Sequence, residues 1–292
     1  HVARGESDVI NFSDDDIRGG LIAMIQVRDP LELGGQIDES SHGTGFDRVG
    51  AFQDGFTGGP ERCKTFFTEG RENQLINIPF DPSEPSGNLP LVDPNPDSTI
   101  GPVDVVTLLP KDLDRFWTAQ LATSNLTLTP PTLKLFTPDG ADQPTCGGLD
   151  SSDFDQNIVY CPASNTIFAD QDWAAKDIAD PLLGDMSIGY LIAHGYSEIV
   201  QGLLGSKLTN AARALADDCL TGAWIRDDLP PQPEGRPLYL SAGDLDEAIV
   251  TAIVRGDRSS DADFNGTAFE KVDAFRSGVL GGMQSCQGRI SS

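Results

Sequence analysis

The chain has 292 residues, and its 45 Asp and Glu residues outnumber 20 Lys and Arg residues, giving a net charge of −25. Such a charge repels nucleic acid and anionic membrane surfaces, which excludes both as main partners. No stretch approaches the roughly 18 consecutive apolar residues of a membrane span. Five cysteines without a Cys-x-x-Cys pair favour disulfides over metal binding, leave one cysteine over, and indicate an oxidising, extracytoplasmic compartment.

Two segments near the start of the chain are repeated near its end. Residues 13–29 align without a gap with residues 241–257, and residues 43–63 align with residues 266–286. The first segment of each copy is predicted to be a helix, with a serine N-cap and acidic residues in its first turn. The second is predicted to be a helix that ends in Gly-Gly before a cysteine. The similarity indicates a shared origin of the two copies.

The chain between the repeats changes character. Residues 77–102 are rich in Pro, Asp, Ser and Gly, which predicts a linker or covering loop. A helix is predicted over 112–121, just after Pro110, and an extended stretch over 126–136. Residues 158–169 are predicted to form two short strands around a turn. Because strands are few and segregated from helices, the predicted class is α+β, mostly helical with a small sheet or hairpin.

Residues 185–201 carry the candidate chemistry. Their apolar residues recur at helical spacing, and His194 and Glu198, four residues apart, share one face. That face also carries three further polar side chains, Ser187, Tyr190 and Gln201. In a His-Glu-x-x-His helix, two histidines at this spacing bind zinc and the glutamate is the general base. Here the five positions read His194-Gly195-Tyr196-Ser197-Glu198.

Four elements in order resemble the neutral zinc metallopeptidases of bacteria, especially the exported actinobacterial type. Residues 160–170 resemble the Phe-Tyr-Cys-Pro hairpin of that family, and residues 192–201 resemble its Ala-His-Glu-x-x-His-x-Val-Gln helix. Residues 214–224, in a helix predicted over about 210–226, resemble its Glu-Leu-Gln-Ala-Asp-Cys-x-Ala-Gly-x-Trp helix. Residues 243–248 and 275–286 resemble its C-terminal tail. The resemblance covers roughly residues 112–286 and implies a zincin-like fold.

The positions at which this sequence differs from the family decide which function we expect. The resemblance implies that the two histidine ligands would stand at His194 and Glu198. The base would stand at Gly195, and the third ligand, a glutamate, at Ala214. Zinc catalysis requires three protein ligands, a water and a base. Only His194 is kept, so these positions are interpreted as vestigial and the domain as a catalytically inactive pseudo-peptidase without a cofactor. Its expected role is that of a secreted or envelope binding or scaffold module with a protein or peptide partner.

Two alternatives remain open. A metal-dependent peptidase or hydrolase with rewired ligands would use His194, Glu198 and either Asp217 or Asp218. In the other alternative, His194 is an ordinary buried histidine, hydrogen-bonded to Glu198 or to a neighbouring carbonyl.

The resemblance also divides the chain into three parts. Residues 1–76 resemble the tail of a preceding homologous domain, residues 77–102 are the linker, and residues 103–292 are the degenerate domain. We therefore expect the chain to begin inside the first of two tandem domains, the upstream one being a candidate partner.

The cysteines are expected to follow the same scheme. If Cys219 pairs with Cys286, as helix and tail, then the partner of the equivalent Cys63 lies in the missing part. Cys146 and Cys161 remain as the second pair, on a loop and a strand, and Cys63 is left unpaired.

Overall fold

The computed structural model describes residues 9, 11–31, 42–68, 75–76, 78–83, 87–232, 235–256 and 264–290. Within these residues the class is α+β, mostly helical with one small sheet, as predicted. None of the described helices is long and apolar enough to cross a membrane. The elements are α1 (Asp14–Gln26), α2 (Gly45–Thr68), α3 (Val105–Ala122), β1 (Thr132–Phe136), α4 (Ser151–Phe154), β2 (Ile158–Cys161), β3 (Thr166–Asp170), α5 (Gln171–Ala179), α6 (Gly184–Leu203), α7 (Asn210–Asp227), α8 (Asp244–Arg255) and α9 (Ala268–Ile290).

The sheet has the strand order β1-β3-β2. Strands β2 and β3 form the predicted antiparallel hairpin, and β1 pairs with β3 in parallel, with Thr132 opposite Thr166. Cys161, the last residue of β2, forms a disulfide with Cys146 in the loop between β1 and α4. The side chain of Ile167 on β3 is fully buried in the main core, so the sheet packs directly on the helical layer.

Helix α6 lies at the centre of the molecule and packs against α3, α5, α7 and α8. Most of its side chains are buried, including Tyr190 and Tyr196. On α7, the buried Trp224 donates its indole N–H to Asp112 Oδ2 on α3, at 2.8 Å. The polar residues of α6 therefore lie in or beside a packed core.

The start of the helix predicted over 112–121 needs correction, and two further helices lie between the repeats. Helix α3 begins at Val105 rather than at 112, because Asp104 caps it by accepting the N–H of Thr107 at 2.8 Å. Pro110 lies inside this helix, where the burial of Leu109 and other residues compensates for one lost backbone hydrogen bond. Helices α4 and α5 had not been predicted. Asp170, the last residue of β3, caps α5, so strand and helix follow without a loop.

The two copies of the repeat have the same local structure. Ser13 and Asp16 form a capping box at α1, as predicted. The serine N-cap predicted for the second copy was wrong, because α8 begins only at Asp244 and its N-cap is Gly243, while Ser241 donates its N–H and hydroxyl to the Asp244 carboxylate. The prediction that a helix of each copy ends at Gly-Gly is confirmed by the backbone angles. The first helical segment of α2 and of α9 ends at the second glycine, Gly59 with φ 66° or Gly282 with φ 62°, and a second helical segment follows across the kink. Glycine adopts this left-handed conformation without steric cost, which allows the bend.

The two copies also pack on each other through residues at equivalent positions. Gln53 and Arg276 are equivalent in the alignment, and the Arg276 guanidinium donates to Gln53 Oε1 at 3.3 Å. Gln53 Nε2 donates to the carbonyl of Phe269 at 3.0 Å, and the Arg276 guanidinium lies 4.9 Å from the ring centroid of Phe46. Because Phe46 and Phe269 are also equivalent, these contacts are related by exchange of the copies.

Candidate functional site

The polar face of α6 is directed at two adjacent carboxylates of α7. The Tyr190 hydroxyl donates a hydrogen bond to Asp218 Oδ1, and His194 Nε2 lies 2.5 Å from the same oxygen. Further along α6, Gln201 Nε2 donates to Asp217 Oδ1 at 2.6 Å. Both aspartates are buried. The shared face predicted from the sequence is therefore a buried polar seam between α6 and α7.

Lys271 of α9 completes this seam. Its ammonium lies 3.0 Å from Asp218 Oδ1 and 2.9 Å from Oδ2, and its side chain is 3% exposed. The sequence interpretation missed this residue. A signal was present in the repeat, since a basic residue occupies the same place in both copies, as Arg48 and Lys271, beside apolar positions. Asp218 is thus fully buried and has a lysine, a histidine and a tyrosine as partners.

The charges of this cluster follow from its burial. Burial by itself would raise the pKa of Asp218, but the Lys271 ammonium and the hydrogen bonds from His194 and Tyr190 outweigh it and hold the pKa below its usual value. Burial lowers the pKa of His194, although Asp218 opposes this shift. Burial and the Asp218 carboxylate both raise the pKa of Tyr190. At neutral pH Asp218 is therefore a carboxylate, while the His194 imidazole and the Tyr190 phenol are neutral.

The other predicted site residues do not join this cluster. A side chain at the buried Gly195 would require Ile167 to shift, because its Cβ would lie 2.9 Å from Ile167 Cδ1. Glu198, one-third exposed, forms an ion pair with Arg213 at 3.7 Å. The expected hydrogen bond from His194 to Glu198 or to a carbonyl is replaced by that to Asp218, because Asp218 faces His194 directly from α7. Ala214 is half-buried at the start of α7 and carries no ligand atom.

A separate group of carboxylates lies where α6 and α8 begin. Oxygen atoms of Asp185, Asp244 and Glu247 lie within 4.8 Å of one another, and among the described residues this is the group whose spacing could hold a metal ion. The N–H groups of Leu89 and Ser241 donate to Asp185 and Asp244 at 2.9 and 2.8 Å. Sequence reasoning had treated the acidic residues of α8 only as first-turn acids, because nothing local links them to Asp185.

Burial is the main reason why these carboxyl groups are hard to ionise. It raises the pKa of Asp185 to about 6. It also raises the pKa values of Asp244 and Glu247 well above the usual range, with mutual repulsion as the second cause. Asp185 Oδ1 is buried and has no hydrogen-bond partner among the described residues. The group therefore costs folding free energy when it carries its full charge.

Replacing Asp185 by asparagine is expected to stabilise the protein at pH 7.5 and to have little effect near pH 4. The folded-state pKa of about 6 lies above the unfolded value of about 4, so the folded carboxyl holds its proton more tightly. Its contribution is therefore favourable at low pH and is lost as pH rises from about 4 to about 6. The gain at pH 7.5 should be about 2 kcal/mol, measured by urea unfolding in the presence of chelator.

The control for this experiment is Asp139→Asn, in an exposed loop, which should change the free energy of unfolding little at either pH. The result would contradict this explanation if Asp185→Asn stabilised the protein equally at both pH values, or if it lowered the free energy of unfolding at pH 7.5. Either outcome would show that burying the charged carboxylate does not destabilise the folded protein.

Comparisons with known proteins give one region of similarity. The chain is 29% identical over 184 residues to "Uncharacterized protein YpfJ" of Escherichia coli K12, an alignment that covers 57% of this chain and 59% of the relative. The same values hold for the protein of that name from Escherichia coli O6:H1 strain CFT073. The chain thus spans 59% of the length of these curated relatives. No family model matches the chain, and no solved structure matches it.

Proposed function

We propose that residues 103–292 form a zincin-like metallopeptidase domain that has lost catalysis and serves as a secreted or envelope binding or scaffold module. The observation that carries the proposal is the ion pair of Lys271 with Asp218 beside His194. A metal-bound histidine presents a free ring nitrogen to the ion. Here His194 Nε2 is engaged by a carboxylate that an ammonium has already neutralised.

The position of the general base supports the same conclusion. Gly195 follows His194 where a glutamate would stand, and a side chain there would have to displace the Ile167 side chain. Without a base to accept the proton of the attacking water, hydrolysis loses the roughly 10²–10⁴-fold that proton transfer contributes. The retained helix therefore has packing partners in place of a reaction centre.

The rewired hydrolase is supported less well. Both oxygens of Asp218 accept from Lys271, and Asp217 accepts from Gln201. A metal ion using either aspartate together with His194 would have to displace partners that are buried with it. Removing one partner of a buried ion pair is costly, so such a site would need a different packing of α9.

The disulfides and the acidic surface support the location and role of the proposed module. The two bonds expected from the repeat are present in the structure, as Cys146–Cys161 and Cys219–Cys286, with Cys63 a free thiol. Disulfides persist in oxidising compartments, which supports an extracytoplasmic protein. The net charge of −25 favours a protein or peptide partner over nucleic acid.

The test is a zinc titration combined with a peptidase assay on the purified full chain. We expect no calorimetric zinc binding that depends on His194, and peptide hydrolysis no faster than in buffer, with and without chelator. The matched control is His194→Gln, which keeps a polar side chain and should leave both results unchanged. Tight binding of one zinc per chain that His194→Gln abolishes, together with chelator-sensitive hydrolysis, would overturn the proposal in favour of the rewired enzyme.

A further inference from the structure

Helix α9 holds α7 at three points. Lys271 pairs with Asp218 of α7, and Cys286 forms a disulfide with Cys219. Between them the helices cross so closely that a Cβ on Gly278 would lie 2.0 Å from the carbonyl oxygen of Cys219. The binding of α7 therefore depends on a cation, a glycine and a cysteine at fixed spacing along α9.

Helix α2 carries the same three features at the aligned positions. Arg48, Gly55 and Cys63 stand where α9 has Lys271, Gly278 and Cys286. The local structure is also the same, because the two helices share the bend at Gly59 and Gly282. The repeat thus provides α2 with a complete counterpart of the α7-binding face.

No helix covers this face of α2 in the described part of the chain. Cys63 is an exposed free thiol, and Ala51 is exposed whereas the equivalent Ala274 is fully buried. A Cβ on Gly55 would meet only Cys63 Sγ, at 3.2 Å. The Nε of Arg48 is buried and has no hydrogen-bond partner among the described residues. Cys63, Gly55 and Arg48 on this face of α2 therefore lack the neighbours that the equivalent residues of α9 have in α7.

We propose that this face of α2 binds a helix like α7, carrying Asp-Cys-x-x-Gly, from a second domain homologous to residues 103–292. The aspartate of that helix would form an ion pair with Arg48, and its cysteine would form a disulfide with Cys63. Its glycine would lie against Gly55, where the two helices cross. The inference goes beyond the proposed function, since it requires neither activity nor inactivity of either domain.

The covalent step balances as thiol–disulfide exchange. The Cys63 thiolate attacks a mixed disulfide between the partner cysteine and glutathione, the new S–S bond forms, and glutathione leaves as thiolate. Oxidised glutathione, which has first formed that mixed disulfide, is the two-electron oxidant of the whole sequence. Cys63 is accessible for this attack because it is exposed.

The experiment uses the full chain and a synthetic peptide of residues 210–227, which contains Asp218, Cys219 and Gly222 of α7. Both are equilibrated in a glutathione redox buffer, and mass spectrometry of the intact protein gives the ratio of Cys63–peptide to Cys63–glutathione disulfide. Non-reducing peptide mapping confirms that Cys63 is the site. A peptide with Gly222→Leu should lower this ratio by about tenfold, because overpacking prevents the close helix crossing.

Matched protein variants locate the effect on α2. Gly55→Ala should lower the ratio by a similar, roughly tenfold factor, whereas Gly19→Ala, at an exposed helical glycine with open space around it, should not change it. The glutathione adduct in each sample corrects for changes in the reactivity of Cys63. Equal ratios for both peptides, or a predominant Cys63–Cys63 dimer, would overturn the proposal. Neither result depends on zinc or hydrolysis, so failure here is distinguishable from failure of the proposed function.

Discussion

Replacing Lys271 by methionine should lower the free energy of unfolding at pH 7.5 by about 3–5 kcal/mol, the usual cost of leaving a buried charge without its partner. Asp218 is fully buried, and the Lys271 ammonium is the full positive charge in contact with it. Methionine keeps the length and apolar stem of the side chain, so the loss would be electrostatic rather than a cavity effect. Urea unfolding followed by far-UV circular dichroism measures it.

The pH dependence of this loss is part of the prediction. The wild-type pKa of Asp218 is lowered, so its contribution to stability is present above the unfolded pKa and is lost as pH falls through the folded pKa. In the variant, the uncompensated carboxyl should take up a proton more readily. The difference in free energy of unfolding between variant and wild type should therefore shrink between pH 7.5 and pH 4.

Two further variants make the interpretation specific. Lys271→Met combined with Asp218→Asn removes both charges and should lose less stability than Lys271→Met alone. Lys64→Met, at an exposed lysine paired with Glu61, should have little effect, because surface ion pairs contribute little. If the double variant were as unstable as the single one, the charge of Asp218 would not be the cause.

Removing the Cys219–Cys286 disulfide by replacing both residues with alanine should cost about 4 kcal/mol, from the loop entropy that the bond removes from the unfolded chain. The bond closes a loop with a sequence separation of 67, and both cysteines are fully buried between α7 and α9. Non-reducing urea unfolding of the oxidised protein measures the loss.

The other cysteines provide internal controls. The Cys146–Cys161 bond has a sequence separation of 15, so its removal should cost less, about 3 kcal/mol on the same argument. Cys63→Ala should change stability little, since the thiol is exposed and unpaired. A smaller loss for the longer loop than for the shorter one would show that strain or packing, rather than loop entropy, dominates.

The sequence predicted the polar face of the central helix but not all of its partners. His194 and Gln201 could be assigned to one face because helical geometry fixes side-chain direction over a few residues. Lys271 is 53 residues from Asp218, and no local rule connects them. The same holds for Asp185, which contacts the carboxylates of α8 only because α6 and α8 begin side by side.

Some local features were also decided by their neighbours. The Gly-Gly pairs were expected to end their helices, since glycine at positive φ is a common helix terminator. In the structure the first helical segments do end at Gly59 and Gly282, and further helical segments containing Cys63 and Cys286, which were not predicted, follow across the kink. For Cys286, the disulfide to α7 holds the resumed segment in place.

By itself, the sequence determined the α+β class, the hairpin and the repeated helices, including the N-cap at Ser13, because these features depend on contacts within three or four residues. That Gly195 stands where a zinc peptidase has its base is a prediction from the resemblance. Only the tertiary structure decided that the carboxylate beside His194 is Asp218 and that Lys271 neutralises it. Such long-range ion pairs form where helices from distant parts of the chain pack together, and the packing is set by the whole core.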